Sequence, residues 1–303
     1  MNNQLIKVIT KDDAFRAFAL NGTNLVSQAC QAHETSRIAS VILGRALLAT
    51  ELLAQATLKG EERLNAKIAG RGPIGNVVTE ADAKGSVRGY VTNAQLEGTL
   101  DEHQQLQIGT AVGHNGFLQI TKFAPYSDPY IGQSQLVSGE IGDDFTYYLA
   151  QSEQIPSVIG VGVHLDKQGL VDMASGFLIQ ALPGATDDQL SDLEDKLKAM
   201  TPLNKLISQG SEPKAILNNI FGENSFTELA DLNVGLAAEP PKEEYAKMLA
   251  TLPATEVQAM IDEDGGAEII GKFSGKRHYF EQNELETILA DILARDLDED
   301  KDS

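Results

Sequence analysis

The sequence predicts an α+β protein: an N-terminal domain of antiparallel sheets packed with helices, a helical middle linker, and a small C-terminal α+β module. Three observations carry this expectation. An apolar stretch with helical spacing occupies 37–59, short β-like runs broken by glycine turns fill 63–182, and helical patterns without strand texture follow from 187 to 221. The order is not the regular strand–helix alternation that builds a parallel sheet.

The elements follow in turn. Leu5, Ile6, Val8 and Ile9 form a mostly apolar run that reads as a short strand, with a helical turn expected at 13–19. Thr35-Ser36 then opens a helix in which Ile38, Val41, Ile42, Leu48, Leu52 and Leu53 keep helical spacing. Its apolar face is broad and studded with small residues, which predicts deep packing against a sheet. Strand-like runs come next at 64–69, 75–79, 87–91 and 116–122; Ala83-Lys84-Gly85-Ser86 and His114-Asn115-Gly116 are hairpin signals. Ile141, Phe145, Tyr148 and Leu149 share a face and predict a helix over 140–151, and Asp166-Lys167-Gln168-Gly169 turns between strands at 158–165 and 170–180.

Pro183-Gly184 closes the first domain, 1–184. The linker, 185–231, carries helices at 187–200, 203–208 and 213–221, and Leu190, Leu193, Leu197 and Met200 make an apolar stripe that needs covering. Residues 232–292 form the C-terminal module, and 293–303 an acidic, frayed tail.

The formal charge is −20, from 44 acidic and 24 basic residues, which argues against nucleic acid as a partner, because affinity for a phosphate backbone comes from Lys and Arg. The start of the chain has neither the basic nor the apolar region of a signal peptide, and no window approaches about eighteen consecutive apolar residues. The expectation is a cytoplasmic protein with no membrane partner. A single cysteine, Cys30, excludes an intramolecular disulfide and any multi-thiolate metal site within one chain, and it reads as a small buried residue. His33, His103, His114 and His164 show no i, i+4 pairing, and His278 reads as a surface aromatic beside Tyr279 in a strand. Ser138, Glu140, Asp143, Asp144 and Glu153 cluster around one predicted helix, where acidic groups ordinarily cap free amides. No enzyme is expected; one would need a deep polar pocket near Glu140.

Several ordered motifs point further. Thr251-Leu252-Pro253 with Glu256-Val257, the turn Glu263-Asp264-Gly265-Gly266, and His278-Tyr279-Phe280 with Glu284-Leu285 resemble the C-terminal zinc domain of the 33 kDa chaperonin family (heat shock protein 33). Arg71-Gly72-Pro73-Ile74-Gly75, Val87-Arg88-Gly89-Tyr90-Val91, the run 136–141, the run 147–154 and the run 176–185 resemble that family's N-terminal domain. The resemblance implies an ATP-independent holdase that captures unfolding client proteins. In the family, a C-x-C pair and a C-x-x-C pair hold one zinc. Oxidation forms two disulfides, releases the metal and exposes apolar surface, often with dimerisation, so a homodimer is among the implied partners.

Aligned on the 251–253 and 263–265 motifs, the first pair falls at Ala238 and Pro240 and the second at Gly271 and Ser274. None of these is a usual zinc ligand, so the expected cofactor is none, and the family's redox switch is expected to be lost. The module is then of the zinc-domain type without zinc. Structural zinc stabilises small finger peptides by roughly 10 to 16 kcal/mol, and its absence needs an offset. The expected offset is an apolar core drawn from Leu236, Tyr245, Met248, Leu249, Leu252, Met260, Ile261, Ile269, Ile270, Phe273, Tyr279 and Phe280; failing that, the module is conditionally disordered. Leu190, Leu193, Leu197, Met200, Leu203 and Leu206 are the linker residues expected to alternate between intramolecular cover and client contact. The same stripe also reads as a permanently buried seam. A constitutive interaction or assembly protein on the same fold is the second functional reading.

Overall fold

The computed structural model describes residues 3–102, 105–200, 203 and 212–299, with side chains of the last helix as far as Arg295. The chain opens on two antiparallel strands, β1 (Gln4–Thr10) and β2 (Phe15–Asn21), so the helical turn expected at 13–19 is instead strand. Burial on both faces explains the difference. Phe15, Ala17, Phe18, Ala19 and Leu20 are all buried, which removes the polar alternation that marks a half-exposed strand.

Helix α1 (Thr23–Ala32) follows, and then α2 (Arg37–Thr57), whose N-cap Ser36 accepts the Ala39 N–H through its side chain. From Ile38 to Ala54 only Arg45 escapes full burial. Helix α2 is apolar and long enough to span a bilayer by composition alone, but 89% of that apolar window is buried within the protein, as in a core helix.

Two sheets enclose it. The first has the order β10 (Phe226–Asn233), β1, β2, β9 (Val171–Ala181), β8 (Ser157–Leu165), and the second β11 (Gly235–Leu236), β5 (Ser86–Val91), β4 (Asn76–Asp82), β3 (Arg63–Ala69), β6 (Phe117–Phe123), β7 (Tyr130–Gln135). The short α3 (Ile108–Val112) comes before β6. Leu64, Ala66, Ile68, Val77, Ala81 and Val87 alternate inward to one core with α2. The turn at 83–86 joins β4 to β5 as expected. His114-Asn115-Gly116 does not make a hairpin; it leads from α3 into β6. A Cβ on Gly116 would lie 1.7 Å from the Ala69 carbonyl oxygen, so close strand approach, rather than a turn, requires that glycine.

The helix expected at 140–151 is α4 (Gly142–Tyr148), continued by a π-helical turn, Leu149–Glu153. Strands β8 (Ser157–Leu165) and β9 (Val171–Ala181) pair as expected. Helix α2 packs closely on β8: a Cβ on Gly44 would come 2.6 Å from Val26 Cγ1 and 2.8 Å from Val163 Cγ2. A Gly44→Val variant should therefore lose about 1–3 kcal/mol in urea unfolding, because the facing valines are stiff. An unchanged midpoint would mean that the α2–β8 contact yields more easily than this geometry implies.

Helices α5 (Asp187–Ala199) and α6 (Pro213–Phe221) cover the outer face of the first sheet. Leu193, Ile216, Leu217 and Ile220 pack there with Ile6, Val8, Ala17, Ala19, Phe177 and Ile179. The expected helix at 203–208 lies, apart from Leu203, outside the described residues. The stretch to 231 is not wholly helical. It ends in β10 (Phe226–Asn233), which pairs with β1 from Gln4↔Asn233 to Thr10↔Phe226, and the two-residue β11 (Gly235–Leu236) then adds to β5 in parallel. As an edge strand with mostly exposed side chains, β10 gave no apolar pattern to read.

The chain divides into two compact units, Met1–Ala237 and Ala238–Ser303. The second contains α7 (Lys242–Leu249), α8 (Ala254–Ala259) with a π-helical turn at Met260–Asp264, the hairpin β12 (Gly266–Ile270) and β13 (Arg277–Glu281), and α9 (Gln282–Glu299). Its core is Tyr245, Leu249, Val257, Ile261, Phe280, Leu285, Ile288 and Ile292. Tyr245, Leu249, Ile261 and Phe280 were expected in it; Met248, Ile270 and Tyr279 are exposed, and Leu236 packs in the first unit. Helix α9 carries Leu285, Ile288 and Ile292 and continues to Glu299, where a frayed tail was expected from 293.

Candidate functional site

Thr186 starts α5: its hydroxyl accepts the Gln189 N–H at 3.3 Å while Gln189 Oε1 accepts the Thr186 N–H at 2.9 Å. The solvent face of α5 carries Asp192–Lys196 and Glu194–Lys198 pairs, too exposed to add much stability. Its attachment is therefore apolar. Leu193 is buried, and Leu190, Leu197, Met200 and Leu203 pack partly buried against the same cluster, so the structure gathers these five onto the outer face of the first sheet. Leu206 lies outside the described residues. A groove of about 190 Å³ remains between α5 and the sheet, lined by Leu190, Leu193 and Leu197 with Phe15, Val158 and Ile179. A helix of this length is marginal on its own in water, so α5 depends on that docking.

A larger open cavity, about 1110 Å³, lies near Glu140, where an enzyme would need one. The carboxylates that line it, Asp101 and Glu140, and the buried Asp144 are already engaged; Asp101 accepts the Gln105 N–H at 2.8 Å. Arg45 Nη1 lies 2.6 Å from Glu140 Oε2, and the Gly109 N–H donates to Glu140 Oε1 at 3.0 Å. Buried Asp144 accepts the N–H groups of Val137, Ser138 and Gly139 on Oδ1 at 2.7, 3.1 and 3.4 Å, and that of Ile141 on Oδ2 at 3.0 Å. These bonds hold Ile141 at φ 73° and ψ −58°, in a γ-turn closed by the Gly142 N–H to the Glu140 carbonyl. The carboxylates thus serve as backbone caps. Cys30 is buried, and burial raises its thiol pKa, which suppresses the reactive thiolate.

The four positions aligned with family zinc ligands come together around a residue that the sequence reading passed over. Residues 237–241 form neither helix nor strand, and Glu239, between Ala238 and Pro240, turns toward the 271–278 hairpin. Its Oε1 accepts the Tyr245 hydroxyl at 2.8 Å and lies 3.0 Å from His278 Nε2. The Tyr245 and His278 rings stack with centroids 4.4 Å apart. Burial raises the Glu239 pKa, but hydrogen bonds from Ser274, His278 and Tyr245 outweigh it and hold the carboxyl below its ordinary value. His278 is therefore not the surface aromatic expected: its side chain is only 15% exposed and is bonded. The 271–276 turn is closed by the Gly271 N–H to Lys276 O and the Gly275 N–H to Gly271 O.

The family's zinc does not fit this donor set. Ala238, Pro240 and Gly271 offer no ligand atom, Glu239 and His278 are bonded to each other, and among the described residues no group of three or more His, Cys, Asp or Glu side chains could hold a metal.

A family model described as Hsp33 protein matches residues 3–281. The chain belongs to the Hsp33 family. The 33 kDa chaperonin of Lactiplantibacillus plantarum is 42% identical over 290 residues, covering 96% of this chain and 98% of that one. The corresponding protein of Bacillus pumilus is 40% identical over 288 residues, covering 95% and 98%. Among solved structures, the 33 kDa chaperonin (heat shock protein 33 homologue) of Thermotoga maritima matches with a TM-score of 0.90 and 29% identity, over 97% of this chain and all of that one. The Hsp33 match thus runs over nearly the whole chain.

Proposed function

We propose that this Hsp33-family protein is a chaperone that acts as an ATP-independent holdase in the cytoplasm, binding unfolding client proteins through apolar surface of the first sheet and of the linker helices. Relatives about 40% identical are named 33 kDa chaperonin, which supports the chaperone role. The observation that carries the finer reading is the docking of α5: a marginal helix holds Leu190, Leu193 and Leu197 on Phe15, Val158 and Ile179, so one undocking event uncovers both halves of an apolar groove. The strong negative charge keeps such a protein soluble while apolar surface is open. Control by zinc and disulfides is absent from this reading, because the chain has one cysteine, and it is buried.

The test is light scattering from a heat-unfolding client enzyme. The protein is expected to suppress aggregation, increasingly with temperature. Peroxide should not change its activity, and neither should Cys30→Ser. A Leu193→Ala/Leu197→Ala variant should act at lower temperature, because truncation weakens the docking of α5, by about 2 kcal/mol or more at buried Leu193 and by less at partly buried Leu197. Failure to suppress aggregation at any temperature, by either protein, overturns the holdase reading.

A further inference from the structure

We propose that Glu239, Tyr245 and His278 form a metal-independent clasp that ties the 238–240 segment to the 271–278 hairpin, so that the C-terminal module is held by hydrogen bonds where the family motif calls for a metal. Three observations carry this. The 238–241 segment forms neither helix nor strand, and one side chain from it, Glu239, collects the Tyr245 hydroxyl and the His278 imidazole on a single oxygen across up to 39 residues of sequence. Pro240 and Pro241 follow directly and stiffen the backbone that presents Glu239, and Pro241 is also the N-cap of α7, the helix that bears Tyr245.

The third observation is steric. A Cβ on Gly271 would lie 2.5 Å from Ser274 Oγ, 2.5 Å from Tyr245 Oη and 3.3 Å from Glu239 Oε1. The clasp fills the space that a side chain at 271 would need. A side chain there would push Ser274 Oγ and Tyr245 Oη aside and disturb the bond from Tyr245 to Glu239, so the glycine suits the present network. The apolar core of the module meets the clasp at Tyr245, whose ring is buried there while its hydroxyl serves Glu239. The bonds are charge-assisted and largely shielded from water, the setting in which a hydrogen bond contributes most.

Hydrogen exchange on the full chain reads the clasp without any client, so its result is independent of the holdase reading. The amides of β12 and β13 are followed, with those of β4 in the first unit as the internal reference. Glu239→Gln should speed β12 and β13 exchange by about 10- to 100-fold, and Tyr245→Phe, which keeps the ring and the core, by about tenfold. The double variant should fall short of the product of the two single effects, because glutamine keeps an acceptor oxygen but loses the charge, so Tyr245→Phe then removes a bond already weakened. A zinc chelator or peroxide should leave the wild-type rates unchanged. Should Glu239→Gln fail to fold, Tyr245→Phe decides. Wild-type exchange rates in Tyr245→Phe, or opening of the wild-type module by the chelator, would overturn the proposal.

Discussion

At pH 8 a Glu51→Gln variant is expected to be more stable than the parent by several kcal/mol, and at pH 5 the two should nearly converge. Glu51 sits on α2 with no exposed surface; its Oε1 accepts the Gln55 amide at 2.9 Å, and its Oε2 is buried without a hydrogen bond among the described residues. Burial, aided by the charge of Asp82, pushes its pKa up to about 8. An unfolded glutamate titrates near 4.3, so between about pH 4.3 and 8 the folded protein binds a proton that the unfolded chain has released. Stability from this group is complete below the unfolded pKa and is lost as pH rises through the folded one. Integrated over the window, the loss is about 5 kcal/mol at most. Glutamine keeps the bond to Gln55 and removes the charge. Exchange of the α2 core amides across pH 5 to 9 measures this, and a wild-type stability flat over that range would show that Glu51 is ionised and partnered after all.

Asp144→Ala is expected to lower the stability of the first unit by about 3–5 kcal/mol, since several buried N–H groups lose their acceptor together. Asp144 is fully buried and accepts four backbone N–H groups from the loop at 137–141. Without it nothing compensates the positive φ of Ile141, so the γ-turn relaxes, and the Arg45–Glu140 pair beside it goes too. Asp144→Asn retains one acceptor oxygen and should lose less than half as much. Thermal unfolding of the three proteins gives the comparison; an alanine variant within about 1 kcal/mol of the parent would mean that water replaces the carboxylate in the loop.

The capping role of Asp144 was legible from its place near the start of a predicted helix, whereas Glu51 was not, because a lone glutamate inside the apolar pattern of α2 shows its burial only once both sheets are in place. The amphipathic pattern of α2, the 83–86 turn and the β8–β9 pair were readable because each is a local signal of spacing or turn chemistry. Strand β2 was not, because burial by α2 on one face and α5 with α6 on the other erased its alternation. Strand β10 was hidden for the opposite reason, as its side chains are mostly exposed. In the C-terminal module, motif alignment picks out Ala238, Pro240, Gly271 and Ser274, but Glu239, between the first two, acquires its partners only when Tyr245 and His278 are brought to it. An isolated glutamate beside two prolines carries no periodic signal. The α5 leucines were readable as a stripe; what they cover was not.

Strand β10 gives the linker a topological constraint. Because β9 and β10 belong to one sheet, residues 182–225 are a closed loop anchored at both ends, not an arm hinged at one. Undocked helices therefore stay within a small volume around their own groove, at an effective concentration on the order of millimolar. Recapture is intramolecular, and closing such a loop is fast. Under the proposed function, a client is always in competition with this tethered ligand. Retention of the client then depends on the difference between two affinities, which makes release the default once the client regains enough structure to bury its own apolar surface.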